Sequence, residues 1–386
     1  MSLAPGEIVR IIKAAVLESV GAAQPYETSK PLKIESFELS PPGRDEVLVK
    51  IHAAGLCHSD LSVINGSRLR PTPMVLGHEA AGVVAETGPG VVEFTPGDHV
   101  VLVFVPSCGH CVPCAEGRPA LCEPAAVANN DGTLLSGARH LHRDGTPVNH
   151  HLGVSAFAKY AVVSKYSVVK IDPDLPFDEA ALFGCAVITG AGAVLNTAKV
   201  KAGSTVAVVG LGGVGLNSVL GARLAGARQI VAIDLKDKKL ALSKELGATD
   251  VVRADDPDCA ATVRSISDGG VDYAFEMAGS TAALELAWAI TRRGGQTVTA
   301  GLPHPDARLS LPALQVVGEE RTLRGSYLGS CVPVRDIPAY IDLYQQGLLP
   351  VDKLMGERIS LSEINVGFDR LAAGDSTRQI ILFDDD

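Results

Sequence analysis

The sequence predicts an α/β protein of two domains, an irregular β-rich domain and a doubly wound parallel sheet. The first observation is length, because 386 residues exceed what one hydrophobic core usually serves and suggest two or three domains. The second is a series of short β-type runs, separated by Pro- and Gly-rich turns, up to about residue 185. The third is the alternation of short apolar runs with helical patterns from about residue 187, which predicts βαβ units.

Composition narrows the class of protein. Hydrophobic residues make up 46% and charged residues 20%, as in ordinary globular proteins. No apolar run reaches the roughly 18 residues of a membrane span, and the N-terminus lacks a basic-then-apolar secretion pattern. A net charge of −10 and only 4% aromatic residues argue against a nucleic-acid partner. We therefore expect a cytoplasmic protein with no membrane and no nucleic-acid partner.

The first domain takes its strands from four runs in chain order. They are "EVLVKIHAAGL", "AAGVVAETG", "DHVVLVFV" and "KYAVVSKYSVVKI", and they predict a mostly antiparallel sheet. Residues 123–150 show little periodicity and predict a surface loop with one hairpin. The histidines in or beside that loop are expected at the surface, with a contact between His151 and a ligand pocket at Leu152 as the alternative for that residue: His140, His142, His150 and His151.

The second domain begins with the strand "STVAVVG", a Gly-rich turn and a helix through "VGLNSVLGARLAGA". Further strands are predicted at "QIVAID", "TDVVRA", "VDYAFEMAG" and "QTVTAGL", with helices at "KDKKLALSKELGA" and "STAALELAWAITRRG". After about residue 325 come a helix around "VRDIPAYIDLYQQG", the segment "SEINVGFDRLAAG" and a last strand, "RQIILF".

A dinucleotide site is predicted at the Gly-rich turn. Gly210, Gly212 and Gly215 form a G-x-G-x-x-G pattern between a strand and a helix, with Gly213 and Val214 inside it. Asp234 ends the next strand, where a carboxylate accepts the ribose hydroxyls of NAD and repels a 2′-phosphate. NAD is therefore favoured over NADP. The alternatives are a glycine-rich packing turn, or a phosphate recruited by nearby lysines: Lys236, Lys238 and Lys239.

Four cysteines within fifteen residues predict a metal site. Two-residue gaps let one loop present neighbouring sulfurs to a single ion, and four thiolates suit a closed structural zinc site. An iron–sulfur cluster is the rival, and disulfides are disfavoured in a long chain without a secretion signal. The four are Cys108, Cys111, Cys114 and Cys122.

Three other residues form a second candidate metal site. Cys57 stands in "GLCHSD", His78 precedes Glu79 in "LGHE", and Cys185 stands far along the chain in "FGCAV". Spacing alone leaves buried inert thiols and a solvated His–Glu pair as alternatives.

These motifs together resemble those of zinc-dependent alcohol dehydrogenases in the medium-chain dehydrogenase/reductase superfamily. "CHSD", "GHEAAG", the four-cysteine lobe, "GLGGVG" and "TRQIILF" occur in the family's order, and the resemblance covers about residues 12 to 383. "PSCGHCVPCAEGRPALCEP", "HHLGVSAF" and "GEERTLRGSY" resemble a bacterial branch acting on aromatic and furfuryl-type primary alcohols.

The resemblance implies a domain organisation and a reaction. It implies a GroES-like catalytic domain, residues 1–186 and 326–386, with a structural zinc lobe at 108–122, and a Rossmann NAD-binding domain at 187–325. It further implies two Zn²⁺ per chain, NAD, an alcohol or aldehyde substrate, and a homodimer or homotetramer. The alcohol would be oxidised by hydride transfer to NAD from an alkoxide stabilised by zinc.

Residue roles follow from the same resemblance. Cys57, His78 and Cys185 would ligate the catalytic zinc, a ligand set already established for alcohol dehydrogenases. Ser59 would bond the alcohol oxygen, Asp60 would orient His78, and Glu79 would lie behind the metal. The cofactor would be met by His58 and Arg378 at the pyrophosphate, Lys239 at the adenosine ribose, and Thr189, Val214 and Leu302 near the nicotinamide. The alcohol's side chain would enter an apolar pocket of Phe104, Leu152 and Leu302.

The sequence departs from the family pattern in three places. Ser62 stands where animal liver enzymes carry the histidine that passes the proton to solvent, and His58 replaces their arginine. Ala126 stands where the glutathione-using formaldehyde dehydrogenases carry an arginine. A thiol-linked formaldehyde dehydrogenase, including a mycothiol-dependent form, is therefore the first alternative, and a non-catalytic NAD-binding protein is the second.

Overall fold

The computed structural model describes residues 9–384 and divides them into two compact units. The first unit has three segments, which are the described residues up to Cys185, the stretch Val332–Pro338 and the chain from Met355 onward. The second unit has two segments, Ala186–Cys331 and Ala339–Leu354. The sequence placed all of 326–386 with the first domain, whereas 326–331 and Ala339–Leu354 belong to the second unit. Hydrogen bonds tie both segments to the second unit, since Thr197 bonds the hydroxyls of Ser326 and Ser330 at 2.8 Å and Asn196 donates to the Tyr340 hydroxyl at 3.2 Å.

The first unit begins with a closed five-stranded barrel. Alternating apolar positions of the first two strands point inward, so Ile12, Val16 and Phe37 form its core with Val148 and Val162. In barrel order the strands are Arg10–Leu17, Leu32–Leu39, Leu141–Arg143, Thr146–His150 and Met74–Val75.

A seven-stranded sheet completes the first unit. Glu46–Gly55 is its central strand and is buried along most of its length, and Ala80–Thr87, Tyr160–Ser164 and the C-terminal strand pair with it. Ile380 lies opposite Gly55. The main sheet order is Val168–Lys170, His99–Leu102, Ala80–Thr87, Glu46–Gly55, Ile380–Leu382 and Arg358–Ile359.

The helices of the first unit are short, and one of them contradicts the sequence analysis. Glu123–Asp131 is helical and ends at Gly132 in the left-handed conformation (φ 68°), where a surface loop was expected. The hairpin of Leu141–Arg143 and Thr146–His150 was expected and is present. The other helices are Tyr26–Ser29, His58–Ile64, Val112–Ala115, Phe177–Ala181 and Ile364–Ala373, and Pro333–Gln345 runs from the first unit into the second.

The expected exposure of the loop histidines was wrong for three of the four. His140 is 8% exposed, and His150 and His151 are each 1% exposed. The hairpin strands Leu141–Arg143 and Thr146–His150 belong to the barrel itself, and the His150 N–H donates to the Gly132 carbonyl at 2.9 Å, so this segment is part of the folded unit and not a surface loop.

The second unit confirms the doubly wound parallel sheet. Six parallel strands follow the 3-2-1-4-5-6 order of a dinucleotide-binding fold, and the first, Thr205–Val209, is buried at every residue. In sheet order they are Asp250–Arg253, Gln229–Asp234, Thr205–Val209, Val271–Glu276, Thr291–Thr299 and Thr322–Gly325. The helices are Ala186–Gly192, Gly213–Leu224, Asp237–Leu246, Cys259–Ile266, Thr281–Ile290 and Ala313–Gly318.

Between residues 9 and 384, no single helix is long and apolar enough to cross a membrane. The bent pair Phe177–Gly184 and Ala186–Ala198 meets the length and composition criteria together. The first seven residues of its second member are all buried.

Candidate active site

In the glycine turn of the second unit, the backbone at Gly215 lies very close to the backbone at Gly210. Gly210 has a φ of 91°, and a Cβ on Gly215 would lie 1.8 Å from the Gly210 carbonyl oxygen. Gly212 differs, because a Cβ there would meet no heavy atom within 4 Å. The open side of Gly212, at the N-terminus of Gly213–Leu224, is where a pyrophosphate can approach the backbone.

Asp234 lies beside this turn, as the sequence predicts. Its Oδ2 accepts the backbone N–H of Leu211 at 2.6 Å, and its Oδ1 accepts that of Lys236 at 3.0 Å. The carboxylate is thus fixed at the end of its strand and next to the glycines. That arrangement fits a ribose diol.

The nicotinamide-side residues come together through another glycine. A Cβ on Gly190 would lie 2.2 Å from the Val214 carbonyl oxygen, so the helix carrying Thr189 packs directly against the helix carrying Val214. Lys239 is half-buried on Asp237–Leu246, and Leu302 is 48% exposed. Their predicted contacts with the cofactor stay predictions.

The first unit brings Cys57, His78 and Cys185 together. One ligand atom from each lies within 4.8 Å of the others, and all three residues are buried. Cys57 precedes the helix His58–Ile64, and His78 precedes the strand Ala80–Thr87. Both ring nitrogens of His78 are buried and have no hydrogen bond of ordinary geometry, although Nδ1 lies 3.0 Å from Asp60 Oδ2. Two thiols around an unpartnered imidazole nitrogen suit a zinc ion.

Charge around these ligands favours a cation. A hydrogen bond from Cys185 lowers the pKa of Cys57 well below that of an ordinary thiol, against the effect of burial. Burial alone would raise the pKa of Asp60, but His78 and His151 lower it to about 2. Asp60 is thus predisposed to be a carboxylate and Cys57 a thiolate, whereas the hydrogen bond to Cys57 raises the pKa of the Cys185 thiol.

Glu79 and Arg378 form the wall behind the ligands. Burial raises the pKa of Glu79 to about 7, although Arg378 opposes the shift. Arg378 is 4% exposed and donates to the Leu56 carbonyl and to Glu79 Oε2, both at 3.0 Å. The predicted position of Glu79 behind a metal ion stays a prediction. The contact of Arg378 with a pyrophosphate stays a prediction.

The helix after Cys57 carries the other predicted polar groups. His58 is exposed, Ser59 is half-buried and Asp60 is fully buried on the first turn. Ser62 donates its hydroxyl to the His58 carbonyl at 2.8 Å. This bond stays within one helical turn, so Ser62 supplies no replacement for a histidine proton carrier.

Two of the residues predicted for the alcohol pocket, Phe104 and Leu152, are buried. The ring of Phe104 meets the His78 ring edge-on at 5.4 Å between centroids. Leu152 is 7% exposed and has a φ of 52°, a strained conformation for a leucine. His151, next to it, points its Nδ1 at Asp60 from 3.0 Å. Sequence reasoning missed this contact, and its only signal was the position of His151 beside a pocket residue.

The four-cysteine lobe is assembled as predicted. All four Sγ atoms lie within 4.8 Å of one another, and none of the cysteines is in a disulfide. Sγ of Cys111 lies 3.9 Å from Sγ of Cys122, close to the roughly 3.8 Å between sulfurs in a tetrahedral zinc site. Backbone N–H groups of Cys108 and Cys111 point at sulfurs from 3.3 Å, which stabilises thiolates.

Comparison with known proteins agrees with this geometry. The family model described as "Alcohol dehydrogenase GroES-like domain" matches residues 43–173, and "Zinc-binding dehydrogenase" matches residues 213–346. The S-(hydroxymethyl)glutathione dehydrogenase of Paracoccus denitrificans is 37% identical over 374 residues, covering 94% of this chain and 99% of that protein.

Solved structures resemble the whole chain. An alcohol dehydrogenase zinc-binding domain protein from Burkholderia ambifaria has a TM-score of 0.91 at 35% identity, with 98% of this chain and 100% of that chain covered. The benzyl alcohol dehydrogenase of Acinetobacter calcoaceticus has a TM-score of 0.90 at 34% identity, with coverage of 97% and 100%.

Fold, site and relatives define an NAD-dependent oxidoreductase acting on CH–OH donors. The chain belongs to the zinc-dependent alcohol dehydrogenases of the medium-chain dehydrogenase/reductase superfamily. Its first domain has the expected GroES-like fold, and the family implies zinc and NAD as cofactors.

Proposed function

We propose that this dehydrogenase oxidises primary alcohols of aromatic or furfuryl type to aldehydes. The observation that carries the proposal is the buried group of Cys57, His78 and Cys185, with the aromatic ring of Phe104 edge-on against His78. A flat ring needs such an apolar neighbourhood beside the reacting carbon. The 34% identity to a benzyl alcohol dehydrogenase supports the same substrate class.

The proposed catalytic zinc would be held by Cys57, His78 and Cys185. When bound, zinc supplies a Lewis acid that eases deprotonation of an alcohol, and NAD supplies the hydride acceptor. Asp60 holds the Nδ1 proton of His78, so that Nε2 is left to face the metal. Ser59 would bond the alcohol oxygen and take its proton while it passes its own hydroxyl proton on toward the cofactor ribose and water. Ser62 is bonded within its helical turn and would take no part in this transfer.

A second, structural zinc would be held by Cys108, Cys111, Cys114 and Cys122. Closed tetrathiolate sites of this kind leave no position for substrate, so its contribution is to the stability of the lobe. The dinucleotide would lie against Gly210–Gly215 and Asp234, with His58 and Arg378 at the pyrophosphate. The fixed carboxylate of Asp234 supports NAD over NADP, because a 2′-phosphate there would meet a negative charge.

A second candidate substrate is a thiol adduct of formaldehyde. It is favoured by the 37% identity to an S-(hydroxymethyl)glutathione dehydrogenase. Against it stands Ala126, exposed and uncharged on Glu123–Asp131, which offers no partner for a glutathione carboxylate. A different thiol would not need that contact.

The deciding experiment is NADH formation across a panel of substrates. The panel contains ethanol, benzyl alcohol, furfuryl alcohol, a secondary alcohol, and formaldehyde with and without glutathione or mycothiol. Highest kcat/KM with the two ring-bearing alcohols supports the proposal. A rate only with formaldehyde plus thiol moves the assignment to the second candidate. If no substrate of the panel yields NADH, in protein shown to contain zinc and to bind NADH, both candidate functions are refuted.

We also propose a cytoplasmic homodimer or homotetramer. Thr322–Gly325 is an edge strand of the parallel sheet and is exposed at all four residues. Nearby in sequence, Leu314 is 83% and Val317 80% exposed on Ala313–Gly318. An open sheet edge with apolar neighbours favours pairing with a second copy of the chain. The cytoplasmic location is proposed because the eight cysteines are free thiols, which suits a reducing compartment. Light scattering coupled to gel filtration tests the assembly, and a monomer at working concentration would refute it.

A further inference from the structure

One buried carboxylate receives two histidine rings. Oδ2 of Asp60 lies 3.0 Å from Nδ1 of His78, and Oδ1 lies 3.0 Å from Nδ1 of His151. Oδ1 also accepts the backbone N–H of Gly77 at 3.0 Å. Asp60 is 0% exposed and His151 is 1% exposed, so these contacts are made without competition from solvent.

The backbone around His151 holds its ring in place. Its N–H donates to the Ser155 hydroxyl at 2.9 Å, and that hydroxyl donates to the Val75 carbonyl at 2.8 Å. Leu152 and Ser155 both have positive φ, 52° and 55°. Strained non-glycine residues persist where surrounding contacts over-determine the backbone, and they cluster at functional sites. The tight turn therefore places the ring of His151 with little freedom.

The second ring adds to the contacts that fix the direction of the carboxylate, of which the Gly77 N–H on Oδ1 is another. The terminal torsion of an aspartate is broad, so a carboxylate holding one ring could turn and carry that ring with it. Here the plane of the His151 ring stands at 89° to that of His78, with 5.6 Å between centroids. The two rings approach Asp60 from different directions and leave it one orientation.

We propose that His151 is a positioning residue for the catalytic zinc. Its Nδ1–H fixes the Asp60 carboxylate, and Asp60 in turn holds His78 with Nε2 directed at the metal. This inference rests on the zinc site proposed above. A phenylalanine would fill the same volume without burying a polar ring, so the imidazole is explained by its bond to Asp60.

Three substitutions of His151 separate the bond from the packing. His151→Phe keeps a ring and removes the donor. His151→Asn keeps an N–H near the position of Nδ1, and His151→Gln moves its amide outward toward the position of Nε2. The readouts are the rate at which each zinc is lost to a chelator and the visible spectrum of the Co²⁺-substituted enzyme, with the four-cysteine zinc as an internal control.

We expect His151→Phe to lose the catalytic metal about tenfold faster, at the low end of effects for groups behind a metal ligand. Its Co²⁺ bands should shift, the four-cysteine zinc should be unaffected, and His151→Asn should restore both properties. Unchanged metal loss and spectrum in His151→Phe would overturn the inference, as would an equal defect in Phe and Asn variants. If His151→Phe fails to fold, equal behaviour of Asn and Gln variants overturns it.

The wild-type enzyme distinguishes this inference from the proposed function. A chain that holds zinc only at the four cysteines refutes the proposed catalytic site, and the inference with it. A chain that holds both ions while His151→Phe behaves as wild type refutes the inference alone.

Discussion

Replacing Gly215 by alanine tests the packing of the glycine turn. The new Cβ would lie 1.8 Å from the Gly210 carbonyl oxygen and 2.9 Å from its carbon. Ordinary contacts need about 3.5 Å, so strand and helix would have to separate by roughly 1.5 Å. Overpacking costs about 1–3 kcal/mol, and the upper end applies because a backbone carbonyl cannot rotate aside. A loss of ~3 kcal/mol lowers Tm by about 6–12 °C in a domain of this size.

Gly212→Ala is the matched control. A Cβ there meets nothing within 4 Å and φ is −71°, so the fold should tolerate it. The methyl group would instead stand where the pyrophosphate approaches, weakening NADH binding by about tenfold or more, equivalent to ~1.4 kcal/mol. Thermal unfolding without cofactor and calorimetric titration with NADH measure the two effects. Wild-type Tm in Gly215→Ala would refute the packing argument, and wild-type NADH affinity in Gly212→Ala would refute the placement of the cofactor.

Three further predictions concern the first unit. Ser59→Ala should cut kcat by more than about 100-fold, because Ser59 is proposed to relay the alcohol proton. Ser62→Ala, the control, should cut kcat by less than about threefold. A loss below about threefold in Ser59→Ala would contradict the proposed role. Cys111→Ser should release one zinc per chain and lower Tm while the catalytic zinc stays bound; loss of both ions would mean that the two sites are not independent. Burial lowers the pKa of His150 to about 3, so the ring takes up a proton at higher pH in the unfolded chain than in the folded one. The free energy of unfolding should therefore fall as the pH is lowered from about 6.5 toward 3, by up to ~1.4 kcal/mol per pH unit. His150→Gln should flatten this slope in urea unfolding, and an unchanged slope would exclude His150 as its source.

Local patterns made much of the second unit predictable. The strand Thr205–Val209, the glycines after it and Asp234 are all specified within thirty residues of sequence, and strand–helix alternation determines a parallel sheet. The four-cysteine lobe was predictable for the same reason. Its ligands share one loop.

Contacts between distant segments were not predictable from periodicity. Cys57, His78 and Cys185 meet because strands and loops far apart in the chain converge, and only the family resemblance indicated this. His151 was missed because its partner, Asp60, lies about ninety residues away. The helix Glu123–Asp131 escaped prediction because "EPAAVANND" has no clear apolar face.

The C-terminal strand has a consequence for biosynthesis. Ile380–Leu382 pairs with Glu46–Gly55, and Arg378 beside it supplies the cation on Glu79. All seven cysteines and histidines proposed as ligands precede residue 186, so they leave the ribosome before the second unit is made. A nascent chain could therefore hold the proposed metal ions early, but the charge on Glu79 is balanced, and the sheet around the site closed, only after Arg378 and Ile380–Leu382 have been made.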